Sequence, residues 1–487
     1  MEDGQPFKKN KLKNMNLYYY FSVNDNFFTQ GTKEVLKNHK DYNFTGLASA
    51  KKDFLADTSL FPNVSYLSDL KLDNLIEEDY KYLTEVEKKY NLNVSEMIHS
   101  ERHFLKLEKN KKIKYALEII KQIERDYEKQ KFDIIFSSSL ADFTSYFLFN
   151  FAKAKGIAFY YFVYSRMGGT VFLTDREDTG PLNLETIFDE NLKEYNSSTN
   201  NFAKTKSFIE SYIANKNQPY YVTQGSMLYK AFSFDDVKVL YNSYKNYLKD
   251  KNSFIQTENP LLLPFNRLKK IKRKREYIKY FKNGFLSLKD LESKKYFVYP
   301  LHFHPEAATL IQGRWFNDQK NIIEMISKAL PADYLLIVKE HKVSIGRRHK
   351  LFYEEINKFH NVYFTSEKTE VYPLIQNSSG IVTISSSMGL EGVMLNKCVI
   401  TFGDIHYNIL SQVIKARDIA KMKSYINQAI SFDRYKEDEY WSFFKTITEN
   451  CYDMSGYSAH NFTDNHVLTF SKMIDDISKV LQKKDKN

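Results

Sequence analysis

Three short stretches of this chain carry residue types suited to holding an anionic ligand. Lys339, Glu340 and His341 follow the apolar run YLLIV. Ser385, Ser386 and Ser387 follow GIVTI and precede MGLEG, with Gly389 and Glu391 in the next turn. PLHFHPEAATLIQG brings His302, His304, Pro305 and Glu306 just past KYFVY. A hydroxyl-rich helix start offers N–H groups that no intrahelical carbonyl can satisfy, and a basic loop beside it adds donors, so the chemistry implied is phosphate recognition. Glu391, one turn on from Ser387, is spaced to turn a carboxylate toward ribose hydroxyls. Each residue also has a plainer reading: Ser386 as a helix N-cap, Glu391 as a solvated helix residue. His302, His304 and Glu306 on a proline-broken loop are a weak metal signal, because two imidazoles can equally orient a substrate or bond the backbone. No metal is expected there.

The elements that would position these residues are strands of a parallel sheet. From Lys294 to Gly403 short apolar runs alternate with helical segments, through YLLIVKE, a helix from Gly346 to about Phe359, NVYF, TEVYPLIQNS, GIVTIS and CVITFG. Loops at the carboxyl edge of such a sheet line one crevice, and Gly403 closes that edge. The first half repeats the pattern with NLYYYFSV, KFDIIFSSS and GIAFYYFVYS around a charged helical insertion. The fold class expected is α/β, with two Rossmann-like domains facing across a cleft and helical insertions. The boundaries read as an amino-terminal acceptor-side domain over 1–240, a helical basic connector over 241–290 and a nucleotide-binding domain over 291–430. Helices over 431–487, carrying Trp441, Phe443 and Phe444, would pack back on the first domain.

Composition narrows the class. The 487 residues exceed what one core supports. Although 43% are hydrophobic, no window approaches the roughly 20 unbroken apolar residues of a membrane span. MEDGQPFKKNKLKNMN has no apolar segment to make a secretory signal. Cys398 and Cys451 are the two cysteines, too few for a disulfide framework or a thiolate cluster. A cytoplasmic location is the expectation. The net charge of +11 asks for an anionic partner, and much of it lies in RLKKIKRKREYIKYFKNG. That 267–282 run reads either as a solvated interdomain helix or as a basic aromatic surface resting on the inner face of an anionic membrane. Without zinc-finger, RNP-like or glycine-rich loop signals, nucleic acid is not an expected partner.

The three motifs together, with LPADYLLIVKEHK and VYPLIQNSSGIVTISSSMGLEGVMLNKCVITFGDIHY, resemble the carboxyl-terminal half of capsule polysaccharide biosynthesis proteins. That family includes retaining β-Kdo transferases of GT-B shape, related in design to bacterial sialyltransferases. The resemblance implies that Lys339, Glu340, His341, Ser385, Ser386, Ser387, Gly389 and Glu391 bind a CMP-activated ulosonic acid such as Kdo, without metal or cofactor. Lys342 stands where the family usually has proline, and His304 where glutamine is common. In the first half YYFVYSRMGG resembles the segment that delivers a Ser-Arg pair, so Ser165 and Arg166 become site candidates. A carboxylate is needed as base or nucleophile. Asp142 is the first choice and Glu101 the second, the alternatives being an N-cap for Asp142 and a surface pair with Arg102 or Lys106 for Glu101. The implied acceptor is a glycan or glycolipid. Competing expectations are a transferase using a UDP-sugar or CDP-glycerol, and a non-catalytic scaffold of polysaccharide assembly.

Overall fold

A computed structural model of the protein describes residues 15–22, 26–50, 59–215, 241–242, 244–245, 260–281, 284–458 and 461–484. Most of the stretch 216–259, which covers the end of the expected first domain and the start of the expected connector, lies outside them. Among the described residues fourteen strands form two seven-stranded sheets.

The first sheet contains β1 (Asn16–Phe21), β2 (Asn43–Ala48), β3 (Asn63–Tyr66), β4 (Ile134–Ser137), β5 (Ala158–Tyr164) and β6 (Thr170–Thr174). The second contains β7 (Phe285–Leu286), β8 (Lys295–Pro300), β9 (Tyr334–Lys339), β10 (Val362–Thr365), β11 (Gly380–Thr383), β12 (Val399–Thr401) and β13 (Val413–Lys415). Near the carboxyl end β14 (Tyr452–Asp453) returns to the first sheet and pairs antiparallel with β6. The orders are β14-β6-β5-β4-β1-β2-β3 and β13-β12-β11-β8-β9-β10-β7. Runs such as NLYYYF and KYFVYP are apolar on both faces because helices cover both sides of these parallel layers, and five of the six residues in each are buried. In the second sheet the order reverses between β8 and β11, and in the first between β1 and β4. Each reversal opens a crevice at the carboxyl ends of the strands.

Two boundaries differ from the sequence reading. The basic helix Leu263–Tyr280 is less a connector than a part of the second half, because Tyr277 and Phe281 are buried against Tyr353 and Phe364 and the strand that follows pairs with β10. Helix Glu437–Glu449 puts Trp441, Phe443 and Phe444 into one cluster with Phe172, Phe188 and Phe202 of the first half and Leu390, Val393 and Tyr407 of the second. It therefore wedges between the halves instead of covering the first alone. The final helix Asp464–Lys484 does lie on the first half: Phe470 packs on Phe27, Phe28 and Phe136, and any side chain at Gly31 would collide with its ring. The helix expected from Gly346 to Phe359 is only Lys350–Ile356, since the chain ahead of it makes a 3-10 turn at Lys342–Ser344 and a left-handed turn at Gly346.

Candidate functional site

The loops after β8, β9, β10 and β11 enclose a cavity of about 370 Å³, which the end of β5 and Arg166 close from the other half. It lies at the β8/β11 reversal, the position at which open α/β sheets bind ligands.

The loop after β11 forms the floor. Ser386 is the N-cap of helix Ser387–Met394, its Oγ accepting the Gly389 N–H at 3.2 Å. Its own N–H donates to Thr383 Oγ1 and its carbonyl accepts the Tyr407 hydroxyl at 2.8 Å. Ser386 thus builds the turn while also lining the cavity. Ser387 and Met388 begin the helix and line the cavity, and their N–H groups have no intrahelical acceptor. Ser385 is buried; its N–H donates to His302 Nε2 at 3.2 Å, its Oγ to the Ala308 carbonyl, and its own carbonyl accepts from Arg166. Glu391 is 7% exposed, lines the cavity, and its Oε2 has no partner. Burial pushes its carboxyl up to about 8, so it is largely protonated at neutral pH and available as a donor as well as an acceptor.

His302 braces this floor. Its backbone is gripped by the Gln319 amide, which accepts from His302 N at 2.6 Å and donates to its carbonyl at 3.1 Å. Burial, then the nearby Arg166 charge, lowers its imidazole to about 3, so the ring is neutral and can accept the Ser385 N–H. His304 points elsewhere, its Nδ1 2.9 Å from Thr309 Oγ1. Among the described residues no group of three His, Cys, Asp or Glu side chains is disposed around a common metal position. Neither His304 nor Pro305 lines the cavity, but Glu306, exposed on its wall, does. Burial raises the Glu306 carboxyl above the usual carboxylate range, and the charges of Arg102, Arg347 and Arg166 oppose that rise without cancelling it.

The loop after β9 is tied down more than its sequence suggests. Lys339 donates to the carbonyls of Ser366 and Glu367 at 2.9 and 3.0 Å, and burial lowers its ammonium to about 8. Glu340 is buried beneath the loop: Oε1 accepts the His341 N–H, and Oε2 accepts from Arg348 Nε at 3.1 Å and Tyr353 OH at 2.7 Å. It shapes the loop and offers no oxygen to a ligand. His341 accepts the Val343 N–H on Nδ1, which leaves the proton of the neutral ring on Nε2. Burial lowers this imidazole to about 4.

Among the described residues, Arg166 is the one charged side chain that the first half contributes to the cavity lining. It holds a left-handed backbone (φ 71°) in the β5–β6 loop and donates to the Ser385 carbonyl across the cleft. Such a conformation in a non-glycine residue is costly and needs support. Ser165 supplies it: buried, its Oγ accepts the Met167 N–H at 3.1 Å and pairs with Thr170 Oγ1 at 2.5 Å. Ser165 therefore braces the loop and does not face the cleft.

Four other sequence candidates lie outside the cavity. Asp142 caps helix Phe143–Lys155, Oδ1 accepting the Ser145 N–H and Oδ2 the Tyr20 hydroxyl. Glu101 is fully buried and accepts the N–H groups of His103 and Phe143 at 2.8 and 2.9 Å, so it is neither a surface pair nor an open base. Burial, then the Asp142 charge, raises its carboxyl to about 7. Gly389 makes room for the Tyr407 hydroxyl and not for a ligand, and a side chain added at Gly403 would come within 3.0 Å of the Ile384 and Gln312 carbonyls. Sequence reading missed the β10 loop, where Glu367 and Glu370 join the wall, and Arg348, which ties Glu340 to the His302 carbonyl. RRH after a glycine was the available signal for the latter.

Residues 259–413, which hold all four loops, match the family described as capsule polysaccharide biosynthesis protein. The family that the motifs resemble is thus matched over the segment that carries them. Among curated proteins, protein FixF of Sinorhizobium fredii is 28% identical over 183 residues, 36% of this chain and 41% of that protein. The chain accordingly spans less than half the length of that relative. Solved structures that match along the chain include MnaA of S. aureus with UDP (12% identity, 96% and 97% of the two chains, TM-score 0.29). The β-Kdo 2,7 transferase of KpsC from Thermosulfurimonas dismutans is another (10% identity, 72% and 89%, TM-score 0.31).

Proposed function

We propose that this protein is a glycosyltransferase of surface-polysaccharide assembly that takes a sugar, Kdo or a related ulosonic acid, from a CMP-linked donor bound in the cavity between its halves. The observation that carries the reading is a helix start, Ser387 and Met388, that lines a cavity together with an arginine from the opposite half and with Glu391, whose buried Oε2 has no hydrogen-bond partner. The family match over 259–413 supports the same class of chemistry.

In this reading the donor phosphate sits on the Ser387 and Met388 amides, and Arg166 and the His341 Nε2–H neutralise the second negative charge that builds on the phosphate as the sugar–oxygen bond breaks and CMP departs as a dianion. Glu391 meets the ribose. Because Asp142 and Glu101 lie outside the cavity, the carboxylate assigned to the reacting centre is Glu306, an exposed acid of the cavity wall that lies in the field of Arg166. It stabilises the oxocarbenium-like centre or attacks it, while the acceptor hydroxyl enters past β5 and gives up its proton to the phosphate of the departing CMP as the new glycosidic bond forms. Neutral His302 acts at one remove, holding Ser385 and with it the phosphate floor. Lys339, bound to two carbonyls, sets the shape of the neighbouring loop.

Thermal unfolding with CMP, CDP and UDP tests the donor assignment, since a ligand that binds only the native state raises its melting temperature according to affinity. CMP is expected to give the largest rise. A larger rise with UDP or CDP would move the donor class to UDP-sugars or CDP-glycerol. No rise with any nucleotide, together with full complementation by Arg166→Ala, would establish a scaffold.

A further inference from the structure

The helix Leu263–Tyr280 has a surface that the transfer reaction does not use. Its inner face is fixed by Tyr277 and Phe281, 5% and 4% exposed, whose rings pack on Tyr353 at 5.3 Å. On the opposite side the sequence runs Leu261, Phe265, Leu268, Lys272, Arg275, Lys279, at alternating spacings of four and three that keep one stripe in line along the helix. The stripe is apolar at its amino end, where Leu261, Phe265 and Leu268 are 59%, 68% and 55% exposed, with Leu262 beside them at 51%. It is cationic at its carboxyl end. The helix as a whole carries eight lysines and arginines against Glu276 alone.

We infer that this stripe docks the protein on an anionic lipid surface, the leucines and phenylalanine entering the interface and the basic residues meeting headgroup phosphates. The pairing of the two halves of the stripe selects this partner. A nucleic acid would satisfy the cations, but exposed aliphatic side chains gain nothing from a phosphodiester backbone, whereas they leave water on entering the acyl boundary. The contact is interfacial, since no helix of the described residues is long and apolar enough to cross a membrane.

The helix is also joined to the cavity wall. Arg273 donates to the Arg347 carbonyl at 2.8 Å, and a side chain on Gly346 would meet the Lys270 carbonyl at 2.8 Å, so the loop lies directly on the helix backbone. The same loop sends Arg347 over the ring of Phe303, a cavity residue, at 4.5 Å. A protein docked by this stripe would hold its cavity close to the lipid, within reach of an acceptor anchored there. The docking itself stands on the helix surface and does not depend on what the cavity binds.

Co-sedimentation of the full chain with vesicles tests it. Phosphatidylcholine vesicles containing phosphatidylglycerol are expected to retain the protein at least about tenfold better than phosphatidylcholine alone, and salt should release it. The triple variant Lys272→Glu, Arg275→Glu, Lys279→Glu should lose about 100-fold in partitioning, each basic residue near such a surface being worth about a fivefold factor. The pair Phe265→Ser, Leu268→Ser should lose about tenfold with its melting temperature unchanged. Equal retention by both vesicle types, no retention, wild-type retention of either variant, or displacement from vesicles by single-stranded RNA would overturn the proposal. Should the charge-reversed protein fail to fold, Phe265→Trp gives an independent reading. Its added emission is expected to shift to the blue on anionic vesicles, and an unshifted emission counts against docking.

Discussion

The two halves of the molecule begin a helix in the same way and use it differently. After β4 the chain reads Ser137-Ser138-Ser139 and starts a helix capped by Asp142; after β11 it reads Ser385-Ser386-Ser387 and starts one capped by Ser386. In the first half the protein's own Glu101 reaches into that helix start and accepts the Phe143 amide, while Tyr20 and Ser145 complete the shell around Asp142. The anion position is filled from within. In the second half no side chain among the described residues is seen to take that place: Ser387 and Met388 line a cavity, and Glu391 beside them has an Oε2 with no partner. One sheet fills its helix start with its own side chains and the other leaves a cavity there.

Four variants break or sharpen this contrast. Arg166→Ala removes the cation that the first half lends to the open site, and should lower turnover by about 100-fold or more, as loss of a preorganised charge at a developing anion does; a steady-state assay with the identified donor reads it. Glu101→Ala acts on the filled site. It strands two buried amides and should cost about 3 kcal/mol in urea unfolding without altering nucleotide affinity. Ser387→Pro deletes one free amide at the first helical position, where proline fits and Ser386 already has the extended backbone (φ −81°, ψ 162°) that must precede it. It should weaken nucleotide binding about tenfold at unchanged melting temperature, by calorimetric titration.

The smallest effect concerns pH. Glu391 titrates at about 8 in the folded protein and at 4.5 when unfolded. The unfolded state is therefore the less protonated one between those values, and stability falls as pH rises through that window. Glu391→Gln should remove this slope and raise the melting temperature at pH 8 by about 2 °C. The opposite sign holds for His302 and His341, held near 3 and 4 against 6.5 unfolded. There the unfolded state binds more protons, and stability is lost as pH drops below about 6.5. Melting curves from pH 4 to 9 separate the two limbs.

Much of this was legible in the chain. Buried strands such as KYFVYP and GIVT announce themselves by length and by the turn residues that bound them, and chemistry-bearing residues right after them must lie on the ligand edge. The two-residue strands β7 and β14 were not legible, because two residues have no periodicity. At the site, the loop positions followed from the sequence but the duties did not. Ser385 and Ser387 differ only in which way a turn rotates them, and Glu340 sits under its loop because Arg348 and Tyr353 pair with it there. Glu101 meets the Phe143 amide 42 positions away, a contact set by how helix Val94–Ser100 lies on helix Phe143–Lys155. Gly389 looked like space for a ligand and is space for Tyr407, which approaches from 18 residues further along.

A crystal structure of the protein soaked with CMP tests the central claim most directly. The account predicts the phosphate within hydrogen-bonding distance of the Ser387 and Met388 amides and of the Arg166 guanidinium, with the ribose against Glu391. Phosphate density at any other place, or an empty cavity at saturating CMP, would contradict it.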